Sequence, residues 1–238
     1  MRLSVVMPAY NEVENIELTV RKCFDVVQSL GLDAEVVVCN DGSKDQTGSI
    51  LEKLQGEFPG LKVVTHNPNQ GYGAAMTAAI AASTGDIVAS IDSDGQFDIA
   101  DLKRLLPEFT DRLDMLTGYR IAKKDTFIRV FGDRVMNRLI RLMFGVTYRD
   151  TNCAFKLYRG SFIRSLHLEA RGFQLPTEIT LKAHALNHSI AEAPVSHSER
   201  EGGASSLAPF KTALQMLRFL CYLRRKIVLY KKGVLRSL

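Results

Sequence analysis

The chain has 238 residues, 46% of them hydrophobic and 24% charged, with a formal net charge of +5 at pH 7. That length buries a sizeable core as one domain, or as one domain with an appendage. The positive balance sits at the end: residues 207–238 hold eight basic residues and no acid, which leaves 23 basic against 26 acidic side chains in residues 1–206 and excludes a nucleic-acid-binding core.

Four cysteines (Cys23, Cys39, Cys153, Cys221) lie far apart without metal or redox spacing, as expected of reduced thiols in a cytoplasmic protein. Met1 leads straight into a strand-like segment, so no signal peptide is expected. No apolar run approaches the roughly 20 residues that span a bilayer.

Leu3–Met7 reads as a buried strand ended by Pro8. A loop, Pro8-Ala9-Tyr10-Asn11-Glu12, leads into an amphipathic helix with Ile16, Val20, Phe24 and Val27 on one face, closed by Gly31. Ala34–Cys39 is a second strand, interrupted by Glu35 and ending in Asn40-Asp41-Gly42-Ser43. A helix to about Glu57 stops at Pro59-Gly60. Leu61–Thr65 is a third strand, His66–Gly71 a loop, and the alanine-rich Gly73–Ser83 a helix small enough to pack closely on a sheet. The run Ile87–Asp92 then reads as a strand buried on both faces. It must end at Asp92, because a carboxylate does not stay buried without a partner.

Strand and helix thus alternate through about 95 residues, the pattern of right-handed βαβ units and a mostly parallel sheet flanked by helices. Further along, a helix spans about Leu102–Phe109 and a strand about Met115–Thr117, followed by Gly118-Tyr119-Arg120. A long helix, Phe127–Phe144, carries Arg129, Arg134, Arg138 and Arg141. Less regular sequence follows at Asp150–Lys156, then a helix near Thr177–Leu186, a strand Ile190–Pro194, and His197–Ser206 with Arg200. One α/β domain over residues 1–206 with a helical tail over 207–238 is the economical division.

Polar or acidic residues follow each of the first four strands: Asn11 and Glu12, Asp41 and Ser43, Asn67 and Asn69, Asp92 and Asp94. Open α/β sheets bind ligands at that edge. Asp92-Ser93-Asp94-Gly95-Gln96 therefore has two readings. As an isolated motif it is a turn with capping acids. At a sheet edge beside Asp41, it offers oxygen donors for a hard divalent cation that also holds a diphosphate. An EF-hand loop is excluded by the misplaced glycine and by Lys103 at the bidentate position. Gly71-Tyr72-Gly73 lacks dinucleotide-fingerprint spacing and reads as turn geometry or close backbone approach to a ligand. Arg120 and Arg134 are individually ordinary surface arginines; together, downstream of a metal–diphosphate site, they suit a phosphate clamp. The five histidines share no ligand spacing and read mostly as surface or capping residues.

Taken in order, Val6-Met7-Pro8-Ala9-Tyr10-Asn11-Glu12, Asn40-Asp41-Gly42-Ser43, Asp92-Ser93-Asp94-Gly95-Gln96, Gly118-Tyr119-Arg120, Arg134 to Asn137, Asp150 to Lys156 and Arg200 to Ser205 resemble the family 2 glycosyltransferases, in particular the dolichyl-phosphate mannose synthase-like branch. The resemblance covers most of residues 1–206. It implies a GT-A (Rossmann-like) fold, a nucleotide-sugar donor (GDP- or UDP-linked) and Mg²⁺ or Mn²⁺. Carried over by motif, Pro8, Tyr10, Glu12 and Asp41 would line the nucleoside pocket, and Asp92, Asp94 and Gln96 would hold the metal against the diphosphate. Arg120 and Arg134 would hold an acceptor phosphate, and Arg200 would meet a phosphate near a closing loop. Two departures stand out: Asn40 precedes Asp41 where the family often has an acid, and Gly203-Ala204-Ser205-Ser206 ends in serine where it usually has lysine.

A polyprenyl phosphate acceptor is already anionic and needs positioning, whereas a hydroxyl acceptor needs a carboxylate base, for which Asp150 is nearest by motif order. A sugar nucleotidyltransferase with a similar carboxylate–metal site is a further alternative. The tail favours the lipid: over residues 209–232, Phe210, Leu214, Leu217, Cys221, Ile227 and Val228 alternate with basic residues like a surface helix on an anionic membrane. That places the protein at the cytoplasmic membrane face. The bland counterpart is a helix packed on the core or in a homo-oligomer.

Overall fold

The structure, a computed structural model, describes residues 1–121, 127–198 and 209–238, with the backbone alone for 127–131 and 209–211. Arg200, Ser205 and Ser206 lie outside the described residues. The strands are β1 (Arg2–Ala9), β2 (Asp33–Asn40), β3 (Leu61–Thr65), β4 (Ile87–Ser90), β5 (Met115–Arg120), β6 (Lys156–Arg159) and β7 (Ile190–Val195). The helices are α1 (Ile16–Ser29), α2 (Thr47–Glu57), α3 (Tyr72–Ala82), α4 (Leu102–Glu108), α5 (Phe127–Phe144), α6 (Gly160–Ser165), α7 (Leu175–Ala185) and α8 (Pro209–Lys231). They form an α/β fold on one seven-stranded sheet of order β3-β2-β1-β4-β6-β5-β7.

All neighbours pair in parallel except β6, which is antiparallel to both β4 and β5. Six strands therefore end on the same edge, and β6 begins there. The chain crosses β1, β2 and β3 in one direction and then jumps to β4 on the other side of β1. This reversal creates the crevice at which open α/β sheets bind ligands.

Successive residues of a strand point to opposite faces, and β1 shows the consequence. Leu3, Val5, Met7 and Ala9 join the cluster under α1, α2 and α4. Val6 joins the other face with Ala75, Met76 and Ala79 of α3 and Leu175, Ile179 and Ala183 of α7. A third cluster unites α5, α7 and α8 through Ile140, Leu181, Leu220, Leu223 and Ile227.

Four expectations change. Pro8 does not end β1, which continues to Ala9 in register with Asn40. Val6 accepts the Ile91 N–H and Pro8 accepts the Ser93 hydroxyl, so Pro8 faces the β4 side beyond the last ladder pair, where its missing N–H costs no ladder bond. β4 stops at Ser90 rather than Asp92. β5 runs on through Gly118 to Arg120, because β7 pairs with it as far as Arg120↔Val195. Finally, Lys156–Arg159 is a strand inserted between β4 and β5, which the sequence pattern after Asp150–Lys156 does not predict.

Gly71 and Gly73 serve turn geometry and close approach, but the approach is to the chain itself. Gly71 has φ +99°, and a Cβ on Gly73 would collide with the Ala170 carbonyl. Gly73 N–H donates to the Arg171 oxygen at 2.8 Å.

Candidate active site

Beyond β4, Ser93 is turned inward: its hydroxyl donates to the Pro8 carbonyl at 2.7 Å, and its own carbonyl accepts the Thr19 hydroxyl at 3.2 Å. That anchor fixes the two acids flanking it. Asp92 Oδ1 accepts the Tyr72 hydroxyl at 2.8 Å. Asp94 Oδ1 accepts the Gln96 N–H at 3.1 Å, while Gly95 takes φ +73°. Burial, then the charge of Asp94, pushes the Asp92 carboxyl up to about 7, against the opposing hydrogen bond from Tyr72. Arg120 and Glu12 also act on Asp92 electrostatically.

Gln96 is tied to the chain after β7. Its Nε2 donates to the Ser198 carbonyl at 3.2 Å, and Ser198 N–H returns a bond to Gln96 O at 2.7 Å. Phe97 and His197 form the adjoining antiparallel bridge. With the amide nitrogen used, the carbonyl Oε1 is the atom left to serve as an oxygen donor. Among the described residues no cluster of three or more His, Cys, Asp or Glu side chains suits a metal. Two carboxylates and an amide oxygen nonetheless fit a hard cation that keeps water and substrate phosphates as its other ligands.

On the β1–β2 side, two loops are laced together. Asn11, in the left-handed region at φ +54°, donates its N–H to Ser43 Oγ at 3.0 Å and accepts the Lys44 N–H at 2.8 Å. Glu12 N–H donates to Thr47 Oγ1 at 2.9 Å, and the Glu12 carboxylate accepts the Asn15 amide at 3.0 Å. Pro8 is buried and Tyr10 is 37% exposed. Asp41 is 2% exposed and accepts His66 Nδ1 at 2.7 Å, Gln70 N–H at 2.9 Å and Gly71 N–H at 2.8 Å. It therefore organises the His66–Gly71 loop from within, and the structure brings it to the same wall as Glu12 and Tyr10.

On the β5–β6 side, Arg120 and Asp150 form a fork: Nε to Oδ2 at 2.7 Å and Nη2 to Oδ1 at 3.0 Å. Asp133 lies 4.0 Å from the same guanidinium. Behind the fork, Lys156 is 1% exposed and donates to Thr117 Oγ1 and the Thr151 carbonyl. Burial pushes its ammonium down to about 8, partly offset by Cys153 and Asp150. Arg134 stands apart from the fork, exposed on α5, in the wall of a cavity with Arg138, Arg141 and Arg149.

Sequence reasoning did not single out Tyr72, His66 or Lys156. His66 had a readable signal, because β2 and β3 are neighbours and His66 N–H bonds the Asn40 carbonyl, which sets it beside Asp41. Tyr72 and Lys156 had none, since their partners come from distant segments.

The profile of glycosyl transferase family 2 matches residues 4–166. The chain belongs to that family. The chain is 32% identical over 207 residues to an undecaprenyl-phosphate 4-deoxy-4-formamido-L-arabinose transferase from Enterobacter sp. (strain 638). The match covers 86% of this chain and 62% of that relative, so the chain spans somewhat under two thirds of the relative's length. Its fold is similar to that of glucosyl-3-phosphoglycerate synthase from Mycobacterium tuberculosis. The complex with phosphoglyceric acid superposes with TM-score 0.69 at 22% identity, covering 93% of this chain and 79% of the other. A complex with Mn²⁺, uridine diphosphate and phosphoglyceric acid gives TM-score 0.68 at 20% identity, with coverages of 99% and 80%. The fold is thus the GT-A arrangement that the motifs implied.

Proposed function

We propose that this glycosyltransferase moves a sugar from a GDP- or UDP-linked donor to a polyprenyl phosphate at the cytoplasmic face of a membrane, with inversion at the anomeric carbon. The observation that carries the reading is the pairing of two acids at the switch point with an arginine fork across the β4–β6 seam. Pro8, Tyr10, Glu12 and Asp41 line the nucleoside side. Asp92, Asp94 and Gln96 hold Mg²⁺ or Mn²⁺. When bound, the cation supplies Lewis-acid stabilisation of the leaving diphosphate, worth several kcal/mol.

The remaining work belongs to the chain. Arg120 positions the acceptor phosphate, to which Arg134 is assigned by motif; one phosphate oxygen bonds to the anomeric carbon as the bond from that carbon to the diphosphate breaks. The attacking oxygen is already anionic, so no proton is removed and orientation is the main contribution. Asp150 has both oxygens on Arg120, which suits holding that guanidinium better than acting as a base; this favours the phosphate acceptor over a hydroxyl. Arg200, outside the described residues, is assigned by motif to a phosphate contact. The relative acting on undecaprenyl phosphate supports the acceptor class. Among the described residues no helix is long and apolar enough to cross a membrane. Surface attachment is assigned to α8 on its exposed Leu214, Leu217 and Val228.

The test is transfer from labelled UDP- and GDP-sugars to a polyprenyl phosphate with Mn²⁺ or Mg²⁺. Asp94→Asn is expected to lose at least about 100-fold in turnover, equivalent to about 2.7 kcal/mol of transition-state stabilisation, with unchanged melting temperature. Turnover within a few-fold of wild type refutes the assignment. A thermal-shift panel identifies the donor, because a ligand at about 100 times its Kd stabilises by about 2.7 kcal/mol.

A further inference from the structure

Tyr72 opens α3, a helix otherwise made mostly of alanine and other small residues. The backbone donors around this first turn go elsewhere than to the acid pair. Gly71 N–H is taken by Asp41 Oδ2 at 2.8 Å, and the Gly73 and Ala74 N–H groups go to the Arg171 carbonyl at 2.8 and 3.4 Å. Among the described residues, the Tyr72 hydroxyl, donating to Asp92 Oδ1 at 2.8 Å, is the one hydrogen bond that crosses from α3 to the end of β4. Two adjacent residues thus bridge two acids: Gly71 holds Asp41 and Tyr72 holds Asp92.

The ring that aims this hydroxyl is braced. It stacks on Phe173 with centroids 5.0 Å apart and planes 25° from parallel. Just before Phe173, the carbonyls of Ala170 and Arg171 lie so close to Gly73 and Gly71 that neither glycine could carry a Cβ without a shift. That segment is in turn pinned from behind. Glu178 of α7 accepts the N–H groups of Glu169 and Ala170 at 3.0 and 2.8 Å, and it pairs with Lys182 at 2.8 Å, both side chains being fully buried. A phenylalanine would stack on Phe173 as well as a tyrosine does. What the hydroxyl adds is the reach to Asp92.

With Oδ1 engaged by Tyr72, the Asp92 carboxylate is fixed about its Cβ–Cγ bond. Its Oδ2 accepts no hydrogen bond among the described residues, so it is the oxygen left to serve a cation. A carboxylate that ligates a metal is oriented by the hydrogen bonds it accepts, and losing such a partner typically lowers metal affinity by about 10–100-fold.

We propose that Tyr72 is a positioning residue of the transfer reaction: its hydroxyl holds the Asp92 carboxylate in the orientation that binds the divalent cation, at a fixed offset from the nucleoside wall built on Asp41. The inference rests on the reading of Asp92 as a metal ligand, and adds a residue that acts through Asp92.

The test is Mn²⁺ binding by the full chain, with unbound Mn²⁺ counted by its electron paramagnetic resonance signal. Tyr72→Phe keeps the ring and removes only the hydroxyl. It is expected to weaken Mn²⁺ binding about tenfold and to raise by the same factor the Mn²⁺ concentration that half-saturates sugar transfer. Tyr158→Phe is the control. Tyr158 is buried on β6 with its hydroxyl 3.3 Å from Ser90 Oγ, so this variant removes a hydroxyl from the neighbouring seam without touching Asp92, and Mn²⁺ binding is expected to match wild type.

Wild-type Mn²⁺ affinity in Tyr72→Phe, while Asp92→Asn no longer binds the ion, overturns the positioning role and leaves the metal site standing; a lower metal-free melting temperature in that variant then marks the hydroxyl as structural only. An equal loss of affinity in Tyr158→Phe reports general loosening of the seam and also overturns it. Mn²⁺ binding that is absent from the wild type, or that survives Asp92→Asn, overturns the metal reading and the role of Tyr72 together.

Discussion

Glu35 and Asp92 stand at opposite edges of the same sheet and are shifted in opposite directions. Burial alone raises a carboxyl. At Glu35 the Lys62 ammonium at 2.7 Å, the Ser4 hydroxyl at 2.6 Å and the N–H and hydroxyl of Thr84 overcome it and hold the group down at about 2. The stability Glu35 contributes is therefore present above its unfolded value of 4.5 and is lost as pH falls toward 2. Glu35→Gln should flatten thermal stability between those pH values and cost about 1–3 kcal/mol at neutral pH, as read by denaturant titration monitored by circular dichroism. Asp92 is desolvated beside another acid, Asp94, and Tyr72 offers it one hydrogen bond. Replacing it with Asn removes the repulsion, so metal-free Asp92→Asn should melt no lower than wild type while losing any stabilisation by Mn²⁺. A lower melting point without metal contradicts this account. The acids at the end of β4 were legible because a β-branched run stops at them. Tyr72 was not, because nothing local couples the first residue of α3 to a turn twenty positions later. A lysine at the mouth of β6 reads as solvated, and only the fold reveals that Lys156 is enclosed.

At the scale of elements, α8 is more embedded than its sequence indicates. Met216, Leu220, Leu223 and Ile227 pack on α5 and α7, whereas Leu214, Leu217, Cys221 and Val228 remain outside. Both stripes are apolar, so a reading by periodicity merged them into one face and placed Ile227 on the wrong one. Polar contacts add to the docking: Lys226 Nζ and Tyr222 OH reach Glu169 at 2.6 and 2.8 Å, and the buried Lys182 meets the same carboxylate at 2.7 Å. Leu220→Ala should cost about 2–5 kcal/mol. Leu217→Ala should stay within about 0.5 kcal/mol, as seen by chemical denaturation; equal losses would show that the two faces are not distinct. If the outer stripe docks on lipid, Leu214→Ser with Leu217→Ser reduces vesicle binding without changing stability. The first four strands and three helices were readable because each βαβ unit alternates period two with period 3.6. β6 was not, since four residues, Lys156-Leu157-Tyr158-Arg159, gain their strand character from neighbours on both sides.

For the whole molecule, charge and sheet polarity set out the working surfaces. The acid-rich body carries the proposed cation site, while basic residues gather on α5 and α8, which pack together in one cluster. The single reversed strand divides this plan. On the β1–β4 side lie Glu12, Asp41, Asp92 and Asp94; on the β5–β7 side lie Arg120 and Asp150. The two sides meet in the ladder from Ile87↔Arg159 to Ser90↔Lys156. Because β6 enters from the ligand edge instead of leaving by it, the Asp150–Phe155 segment reaches the crevice as the start of a strand, with no crossover to re-route. The seam therefore acts as a joint between two separately editable modules. Loops on the far side can be lengthened, shortened or exchanged, while the strand register that presents Glu12, Asp41, Asp92 and Asp94 stays as it is.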